Sequence, residues 1–275
     1  MAALRYFFSL LMVPISLIAA GFSLIAYMAG QTNPNESIFI TFIGLAMPVI
    51  LTINLLILIY WIIKKKWWII IPIAAILLNS GYLASIFQVT ISSSKLPDGK
   101  IPIRIASYNA GKFKSWEHFE TQYYISEFLK NDKANIICFQ EYRENTKINA
   151  DTLSRLLNCP HHAIAYLPGS TTLGTGIFSK YPILQFGKIP LASQTNDAMW
   201  VDIQTGETRI RIISCHLQTT NFSKKRRLLD DPVLQNADIQ QVEDVVTDIS
   251  QELAQNFKIR ATQAQIVRQV IDTTR

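Results

Sequence analysis

Three long apolar runs without a charged side chain occupy the first third of the chain. They extend over Tyr6–Ala29, Ile38–Ile63 and Trp67–Val89 and contain 24, 26 and 23 residues. A helix needs about 20 apolar residues to cross the hydrocarbon core of a bilayer, so each run is long enough to span it. Prolines within the runs do not oppose this interpretation, because membrane helices tolerate them. The pattern predicts a transmembrane region of three helices over residues 1–91.

The connections between the runs predict an orientation. Lys64–Lys66 form the whole link between the second and third runs, whereas the link between the first two carries only Glu36. Short basic loops stay in the cytoplasm, and Arg5 ahead of the first run agrees with this topology. The first run is longer than the roughly 7–15 residues of a signal-peptide core, which favours an uncleaved span. We therefore expect an integral multi-pass membrane protein with a cytoplasmic N-terminus and an extracytoplasmic C-terminal domain.

The pattern changes after the third run. Residues 92–101 are polar and contain a proline and a glycine, as is typical of a linker. From residue 102 to residue 275, β-branched runs alternate with apolar residues at helical spacing. This alternation predicts a mixed α/β domain. The predicted strands are Ile103–Tyr108, Asn135–Gln140, Gly176–Ser179, Met199–Ile203 and Arg209–Leu217, and the predicted helices are Ser115–Lys130, a stretch from Asp238 to about Ala254, and a second stretch from Ile259 to Val270.

Composition supports this division into two unlike parts. Apolar residues make up 49% of the chain and charged residues only 17%, below the roughly 25% of an ordinary soluble domain. Residues 1–100 hold six Lys and Arg against two Asp and Glu, and residues 101–275 hold twenty against eighteen. Most of the net charge of +6 therefore belongs to the apolar part and does not indicate nucleic-acid binding. Only three cysteines are present, which excludes a disulfide-dense scaffold.

Several common signals are absent or weak. Cys138 and Cys215 fall in predicted strands, where we expect buried thiols. Cys159 with His161 and His162 resembles a metal cluster, but adjacent side chains on an extended chain point apart, which favours a solvated loop. Gly169 and Gly174 have the spacing of a phosphate-binding loop, yet Thr175 stands where the lysine belongs. None of these patterns predicts a site.

Three polar residues follow predicted strands directly. Asn109 follows Ile103–Tyr108, Glu141 follows Asn135–Gln140, and His216 lies at the end of the last strand. Side chains at such positions can converge on one cleft. A carboxylate there is a hard oxygen ligand suited to Mg²⁺ or Mn²⁺, and an imidazole can move a proton or donate to an anionic oxygen.

Four sequence strings surround these residues in a familiar order. They are IRIASYN (103–109), ICFQE (137–141), GTGIFSKYPI (174–183) and SCHLQT (214–219). Together they resemble the endonuclease/exonuclease/phosphatase superfamily, which includes pancreatic-type deoxyribonucleases, abasic-site endonucleases, neutral sphingomyelinases and inositol-polyphosphate phosphatases. Arg260 and Gln263 are similar to residues of the family helix that precedes its next catalytic strand. The resemblance implies a four-layer α/β sandwich over residues 102–275.

The resemblance also implies chemistry. Glu141 would ligate Mg²⁺ or Mn²⁺, Asn109 would lie in the shell around metal and phosphate, and His216 would bind the scissile phosphate. The implied activity is a membrane-anchored, metal-dependent phosphoester hydrolase: a phosphodiesterase, nuclease or phosphatase. Its substrate would be a phospholipid headgroup, a nucleic acid or a small phosphate ester, and the lipid bilayer would be its partner.

The family pattern continues with motifs that residues 1–275 do not contain. These are an Asp-x-Asn motif, a further Asp and a terminal Asp-His pair, which contribute the activation of water. We therefore expect a C-terminally incomplete domain, as a fragment, a truncated reading frame or a product without activity. The alternative function is a catalytically silent membrane protein whose domain binds phosphoesters. Lys224–Arg227, in a predicted loop, either contact an anionic headgroup or nucleic-acid backbone or are simply solvated.

Overall fold

A computed structural model describes residues 2–87, 102–114, 121–145, 148–219 and 239–274. The chain divides into two compact units, Met1–Lys95 and Leu96–Arg275. The linker predicted over residues 92–101 and the basic residues Lys224–Arg227 lie outside the described residues. Each unit is described by itself.

The first unit is helical. Its helices are α1 (Ala2–Ala29), α2 (Ile38–Leu45), α3 (Met47–Lys64), α4 (Ile70–Leu78) and α5 (Ser80–Ile86). Pro14 lies inside α1 and Pro48 lies in the first turn of α3, a position where its missing amide hydrogen costs little.

Two of the predicted spans contain helices long and apolar enough to cross a membrane. These segments are Ser9–Ala29 of α1 and Met47–Lys64 of α3. The second apolar run is not one continuous helix, because α2 ends at Leu45 and α3 begins at Met47. The third run bends by 56° between Leu78 and Ser80, so it is either one broken span or a re-entrant segment. Three spans therefore stay a prediction.

A buried amide joins the helices of the first unit. Asn54 of α3 is fully buried, and its Nδ2 donates to Ser23 Oγ over 3.1 Å, to Ala19 O over 3.3 Å and to Ile50 O over 2.9 Å. Asn79, between α4 and α5, donates in the same way to Ser23 O over 3.3 Å. Interhelical hydrogen bonds of this kind connect apolar helices through specific polar contacts.

The second unit contains two β-sheets. The strands are β1 (Ile105–Asn109), β2 (Ile136–Arg143), β3 (His161–Tyr166), β4 (Leu173–Ser179), β5 (Ile183–Ile189), β6 (Asp197–Thr205) and β7 (Thr208–His216). The first sheet has the order β1-β2-β4-β3, with β1 and β2 parallel and the other pairs antiparallel. The second sheet is an antiparallel meander, β5-β6-β7.

Three helices complete the described part of this unit: α6 (Gln122–Asn131), α7 (Ala150–Leu157) and α8 (Ile239–Asp272). The mixed α/β prediction is confirmed. The prediction of two separate C-terminal helical stretches is wrong, because one continuous helix of 34 residues covers both. No glycine or proline interrupts that segment, so its backbone has no local reason to break.

The region around His161 and His162 corrects the sequence-based expectation. We expected a solvated loop, but both residues begin β3, and the His162 ring stacks on Phe178 of β4. The two histidines concealed the strand, because its apolar residues begin only at Ala163. Gly174 likewise has a packing role, since a Cβ there would lie 2.0 Å from the carbonyl oxygen of Ala165.

Apolar clusters lie on both faces of both sheets, while the edge strands β1 and β5 are mostly exposed. One cluster of buried side chains packs the first sheet against the second, as Ile136 and Ile177 meet Met199 and Val201. The opposite face of the first sheet packs against α6 and α7 in a second cluster. The opposite face of the second sheet packs against α8 in a third, through residues such as Ile266. The central strand β2 contacts an apolar layer on each face, which is why its first four residues, Ile136–Phe139, are all apolar.

Candidate active site

The three residues predicted to carry chemistry lie together. Asn109 Nδ2 donates a hydrogen bond to Glu141 Oε1 over 3.1 Å. The same carboxylate oxygen lies 3.6 Å from His216 Nε2, with the Glu141 side chain 32% and the His216 side chain 20% exposed. Asn109 and Glu141 come from adjacent parallel strands of one sheet, and His216 comes from the other sheet. The site therefore lies where the ends of two packed sheets meet.

A bulge in β2 presents Glu141. The register between β2 and β4 shifts between Phe139 and Tyr142, and Glu141 has a φ of +48°. A non-glycine residue rarely adopts this left-handed conformation, and bulges near active sites re-aim side chains. The partly exposed Glu141 lies between five buried residues of β2 and the buried Tyr142, so it is the one position of Ile136–Tyr142 that is open to solvent. The local backbone conformation of β2 therefore determines the direction of the Glu141 side chain.

The Asn109 amide is held from both ends. Its Oδ1 accepts a hydrogen bond from Gly111 N over 3.0 Å, while Nδ2 reaches Glu141. Gly111 itself has a φ of +53°, which lets the chain turn directly after β1. The turn and the amide bond together limit the orientations that Asn109 can adopt.

A polar layer in which Gln140 and Ser214 are buried lies beneath the site. Gln140 Nε2 donates to Ser107 Oγ over 3.2 Å and to Ser214 Oγ over 2.9 Å. Each partner precedes a site residue by two positions, and Gln140 directly precedes Glu141. The amide thus joins β1, β2 and β7 one layer below the three functional side chains, and it connects the two sheets at this point.

Asp197 is a site residue that sequence reasoning missed. It begins β6 and is the direct cross-strand partner of His216. Thr175 Oγ1 donates to Asp197 Oδ1 over 2.9 Å, and Thr175 is itself fully buried. Burial raises the pKa of Asp197 above its ordinary value, although the Thr175 hydrogen bond and the His216 charge act in the opposite direction. A second carboxylate therefore lies beside the imidazole.

A signal for Asp197 was present in the sequence. The turn at Thr205-Gly206 predicts a hairpin, and counting backward along an antiparallel pair places Asp197 opposite His216. The predicted strand began only at Met199, so its first two residues and their pairing were overlooked. Thr175 was noted only because it replaces a lysine in a glycine-rich string, and its hydroxyl instead binds Asp197.

Helix α8 holds the segment that follows His216. Gln218 N donates to Gln263 Oε1 over 2.7 Å, and Gln218 Nε2 donates to Asn256 Oδ1 over 3.0 Å. Gln263 is almost fully buried. His216 is thereby held on its N-terminal side by the pairing of β7 and on its C-terminal side by the hydrogen bonds between Gln218 and α8.

The donor set near Glu141 is compatible with a hard divalent cation of low protein coordination. Mg²⁺ commonly uses one or two protein carboxylates and completes its shell with water and substrate phosphate. Glu141 offers a partly exposed carboxylate with an amide beside it, which fits that requirement. Within the described residues, no group of three or more His, Cys, Asp or Glu side chains could hold a metal by itself.

The cysteines lie in packing positions. Cys138 and Cys159 are buried, and burial raises their thiol pKa values to about 12 and about 11. Cys215 is half-buried, and burial with the nearby Asp197 charge raises its pKa as well. A thiol with a raised pKa holds little thiolate at neutral pH, so these residues are poor nucleophiles.

Comparisons with known proteins give the following similarities. Residues 7–86 match a family model described as a domain of unknown function (DUF8431). No curated protein matches the chain. Among solved structures, an endonuclease/exonuclease/phosphatase family protein from Leptotrichia buccalis is 13% identical, with a TM-score of 0.35 over 44% of this chain and 57% of that protein.

Two further solved structures are similar over the same share of the chain. Sphingomyelinase C from Streptomyces griseocarneus is 16% identical, with a TM-score of 0.32 over 43% of this chain and 50% of its own. Beta toxin from Staphylococcus aureus is 17% identical, with a TM-score of 0.33 over 43% of this chain and 51% of its own. The chain spans about half the length of the solved structures it matches.

Proposed function

We propose that the second unit is a phosphoester hydrolase domain of the endonuclease/exonuclease/phosphatase type and that the apolar helices attach it to a membrane. The observation that carries the proposal is the convergence of Asn109, Glu141 and His216 within hydrogen-bonding or ion-pair distance. These residues lie 32 and 75 positions apart and come from two sheets. Packing of the fold does not by itself require an acid, an amide and an imidazole to lie together at one partly exposed position.

The packing supports a four-layer α/β sandwich for this unit. Helices α6 and α7, the first sheet, the second sheet and α8 follow one another through three apolar clusters. The four sequence strings that resemble the superfamily fall on β1, β2, β4 and β7. Motif order and layer order are therefore mutually consistent.

Glu141 and Asn109 would bind and orient the reacting phosphate together with Mg²⁺ or Mn²⁺. When bound, such a cation offsets negative charge on the phosphate and on the leaving oxygen. The Asn109 amide, held by Gly111, keeps the Glu141 carboxylate in one orientation. Preorganised polar groups of this kind stabilise the transition state because they need not rearrange during the reaction.

His216 would donate a hydrogen bond to a phosphate oxygen or move a proton. Its Nε2 faces the site, and the Asp197 carboxylate lies across the strand pair. A carboxylate beside an imidazole fixes the orientation of the ring. Asp197 is therefore proposed as a positioning residue for His216.

The proposed substrates are a phospholipid headgroup, a nucleic acid or a small phosphate ester. Attachment by the first unit would hold the domain near the bilayer, and the basic connector Lys64–Lys66 supports an extracytoplasmic position for it. The bilayer is the only partner proposed.

The test is Mg²⁺-dependent hydrolysis of a generic phosphodiester, bis(p-nitrophenyl) phosphate, by the full gene product in detergent. Glu141→Gln keeps the shape of the side chain and removes its charge, so we expect turnover to fall by about 100-fold or more. Glu207→Gln is the matched control, because Glu207 is exposed in the turn after β6. Equal turnover in Glu141→Gln and the native protein would contradict the proposed site.

The same experiment addresses the silent alternative. A native protein that binds bis(p-nitrophenyl) phosphate in the presence of Mg²⁺, and releases no nitrophenolate from it, would favour a binding domain over a hydrolase. Binding of the phosphodiester that is detected with the native protein and lost in Glu141→Gln would then locate the binding at this site.

A further inference from the structure

A cavity of about 480 Å³ lies in the first unit, at the end where α1 begins and α3 ends. Its lining includes Ser9, Lys64, Lys66 and three tryptophans, Trp61, Trp67 and Trp68. The antiparallel packing of α1 and α3 is shown by Ser9 Oγ, which lies 3.4 Å from the Tyr60 hydroxyl. The volume falls within the range of about 300–1,000 Å³ that is usual for ligand pockets.

Within residues 2–87, the two lysines of the cavity have no acidic partner. Glu36 is the only carboxylate side chain in residues 2–87, and it lies in the connection after α1, at the opposite end of the α1–α3 pair. The Lys64 ammonium lies 5.7 Å from the Tyr60 ring centroid, a contact that orients the charge without neutralising it. Two positive charges therefore line the cavity, and no carboxylate beside them in residues 2–87 compensates them.

Aromatic walls give the cavity a fixed shape. Trp67 and Trp68 stack with their ring centroids 3.8 Å apart. Trp61 is fully buried, and its indole donates to Ser16 Oγ over 2.9 Å. Tryptophans at this level are typical of the membrane interface, where the ring contacts acyl chains and headgroups at once.

We propose that this cavity binds an anionic glycerophospholipid of the surrounding bilayer, with its phosphate between Lys64 and Lys66. An acyl chain would continue along the apolar side chains of α1 that line the cavity, Leu10 and Val13. Basic pockets between membrane helices on the cytoplasmic side bind anionic headgroups, and the predicted orientation places this end there. The inference rests on the membrane attachment in the proposed function and is independent of catalysis.

Lys65 offers a matched control. It lies between the two lysines in sequence, caps α3 in a left-handed conformation and does not line the cavity. The double variant Lys64→Gln/Lys66→Gln removes both charges that face the cavity, whereas Lys65→Gln removes one that does not. Lys64→Arg/Lys66→Arg keeps both charges.

The experiment titrates the full chain, in uncharged detergent, with phosphatidylglycerol whose acyl chains are brominated and quench nearby indoles. Each lysine next to the phosphate is expected to contribute about fivefold, so the glutamine double variant should bind about 25-fold more weakly. Lys65→Gln and the arginine double variant should bind within about twofold of the native chain. Brominated phosphatidylcholine should quench only at far higher concentration.

Three results would overturn the lipid site. They are equal affinity for phosphatidylcholine, an equal loss in Lys65→Gln, and displacement of the lipid by inorganic phosphate alone at a concentration equal to that of the lipid. Near-ultraviolet circular dichroism compares the packing of the variants, and the single variants Lys64→Gln and Lys66→Gln replace the double variant if it is unfolded. Carbonate extraction separates the two proposals, since a chain released from membranes contradicts the attachment itself.

Discussion

Gln140 of β2 donates a hydrogen bond from Nε2 to Ser214 Oγ of β7 over 2.9 Å, directly beneath the candidate site. This bond crosses from one sheet to the other, whereas most contacts between the sheets in the described residues are apolar. Non-directional apolar contacts would allow the sheets to slide, and a directional bond does not. The pair therefore sets the relative position of Glu141, which directly follows Gln140, and of His216, which lies two positions after Ser214.

Gln140→Ala is expected to lower the free energy of unfolding by about 1–3 kcal/mol, because it leaves the buried Ser214 hydroxyl without its donor and removes the bond to Ser107. Hydrolytic activity should fall together with the stability, since Glu141 and His216 lose the hydrogen bond that fixes their relative position. Chemical denaturation of the full chain in detergent measures the stability. Gln251→Ala, at an exposed position of α8, is the control and should change neither quantity. Unchanged stability in Gln140→Ala would mean that the other contacts between the sheets, including the Thr175–Asp197 hydrogen bond, are enough to align them.

Asp197→Asn is expected to stabilise the fold and to weaken hydrolysis. Burial raises the pKa of Asp197, so its ionised form destabilises the native state at neutral pH. This cost is complete above the folded-state pKa and disappears as the pH falls through the ordinary Asp value of about 3.9. The gain in melting temperature should therefore be larger at pH 7 than at pH 4.

Activity separates a positioning role of Asp197 from a purely structural one. Loss of the carboxylate that orients His216 should reduce turnover by about 10-fold to 100-fold, as for other partners of functional imidazoles. A stabilised variant with native turnover would show that Asp197 does not act through His216.

Asp202→Asn should have the opposite effect on stability. The Asp202 carboxylate is buried in β6 and binds both Arg209 and Arg211. The Arg211 hydrogen bond, with that of Arg209, lowers the pKa of Asp202 although burial acts the other way. We expect a loss of about 2 kcal/mol at pH 7, less than for a fully buried pair because the Arg209 side chain is half exposed.

The pH dependence identifies the cause. A lowered pKa stabilises the protein above the unfolded-state value of about 3.9, and the effect is lost as the pH falls below it. The difference in melting temperature between Asp202→Asn and the native chain should thus narrow between pH 5 and about pH 2. Asp272→Asn removes an exposed pair with Arg268 in α8 and should leave unfolding unchanged. A difference that stays constant with pH would exclude the carboxylate charge as its cause.

Asn54→Leu is expected to loosen the helical unit by about 1–2 kcal/mol, since interhelical hydrogen bonds in membranes contribute modestly. The substitution removes the donor that Ser23 and Ala19 share. Thermal unfolding in detergent, followed by tryptophan fluorescence, measures the change. Thr52→Leu is the control, because Thr52 is exposed and its hydroxyl only contacts Pro48 O within α3. An equal effect of the two variants would indicate that hydrophobicity alone matters.

The sequence predicted the parts of this protein that depend on local pattern. Length and lack of charge identified the apolar runs, and β-branched strings identified β1, β2, β4, β6 and β7 at least in part. Strands β3 and β5 were missed because His161 and His162 open one, and most of the other is exposed, including its apolar Leu184 and Phe186. Burial on one face alone leaves a weaker pattern.

The sequence by itself determined which residue types end the strands, and so it identified Asn109, Glu141 and His216. Only the tertiary structure decided that they meet, because the packing of two sheets sets a distance that no spacing along the chain encodes. The structure also added Asp197, whose partner His216 lies 19 positions away across a hairpin. Strand ends depend on local chemistry, whereas a site depends on register and sheet packing, which are determined by the whole fold.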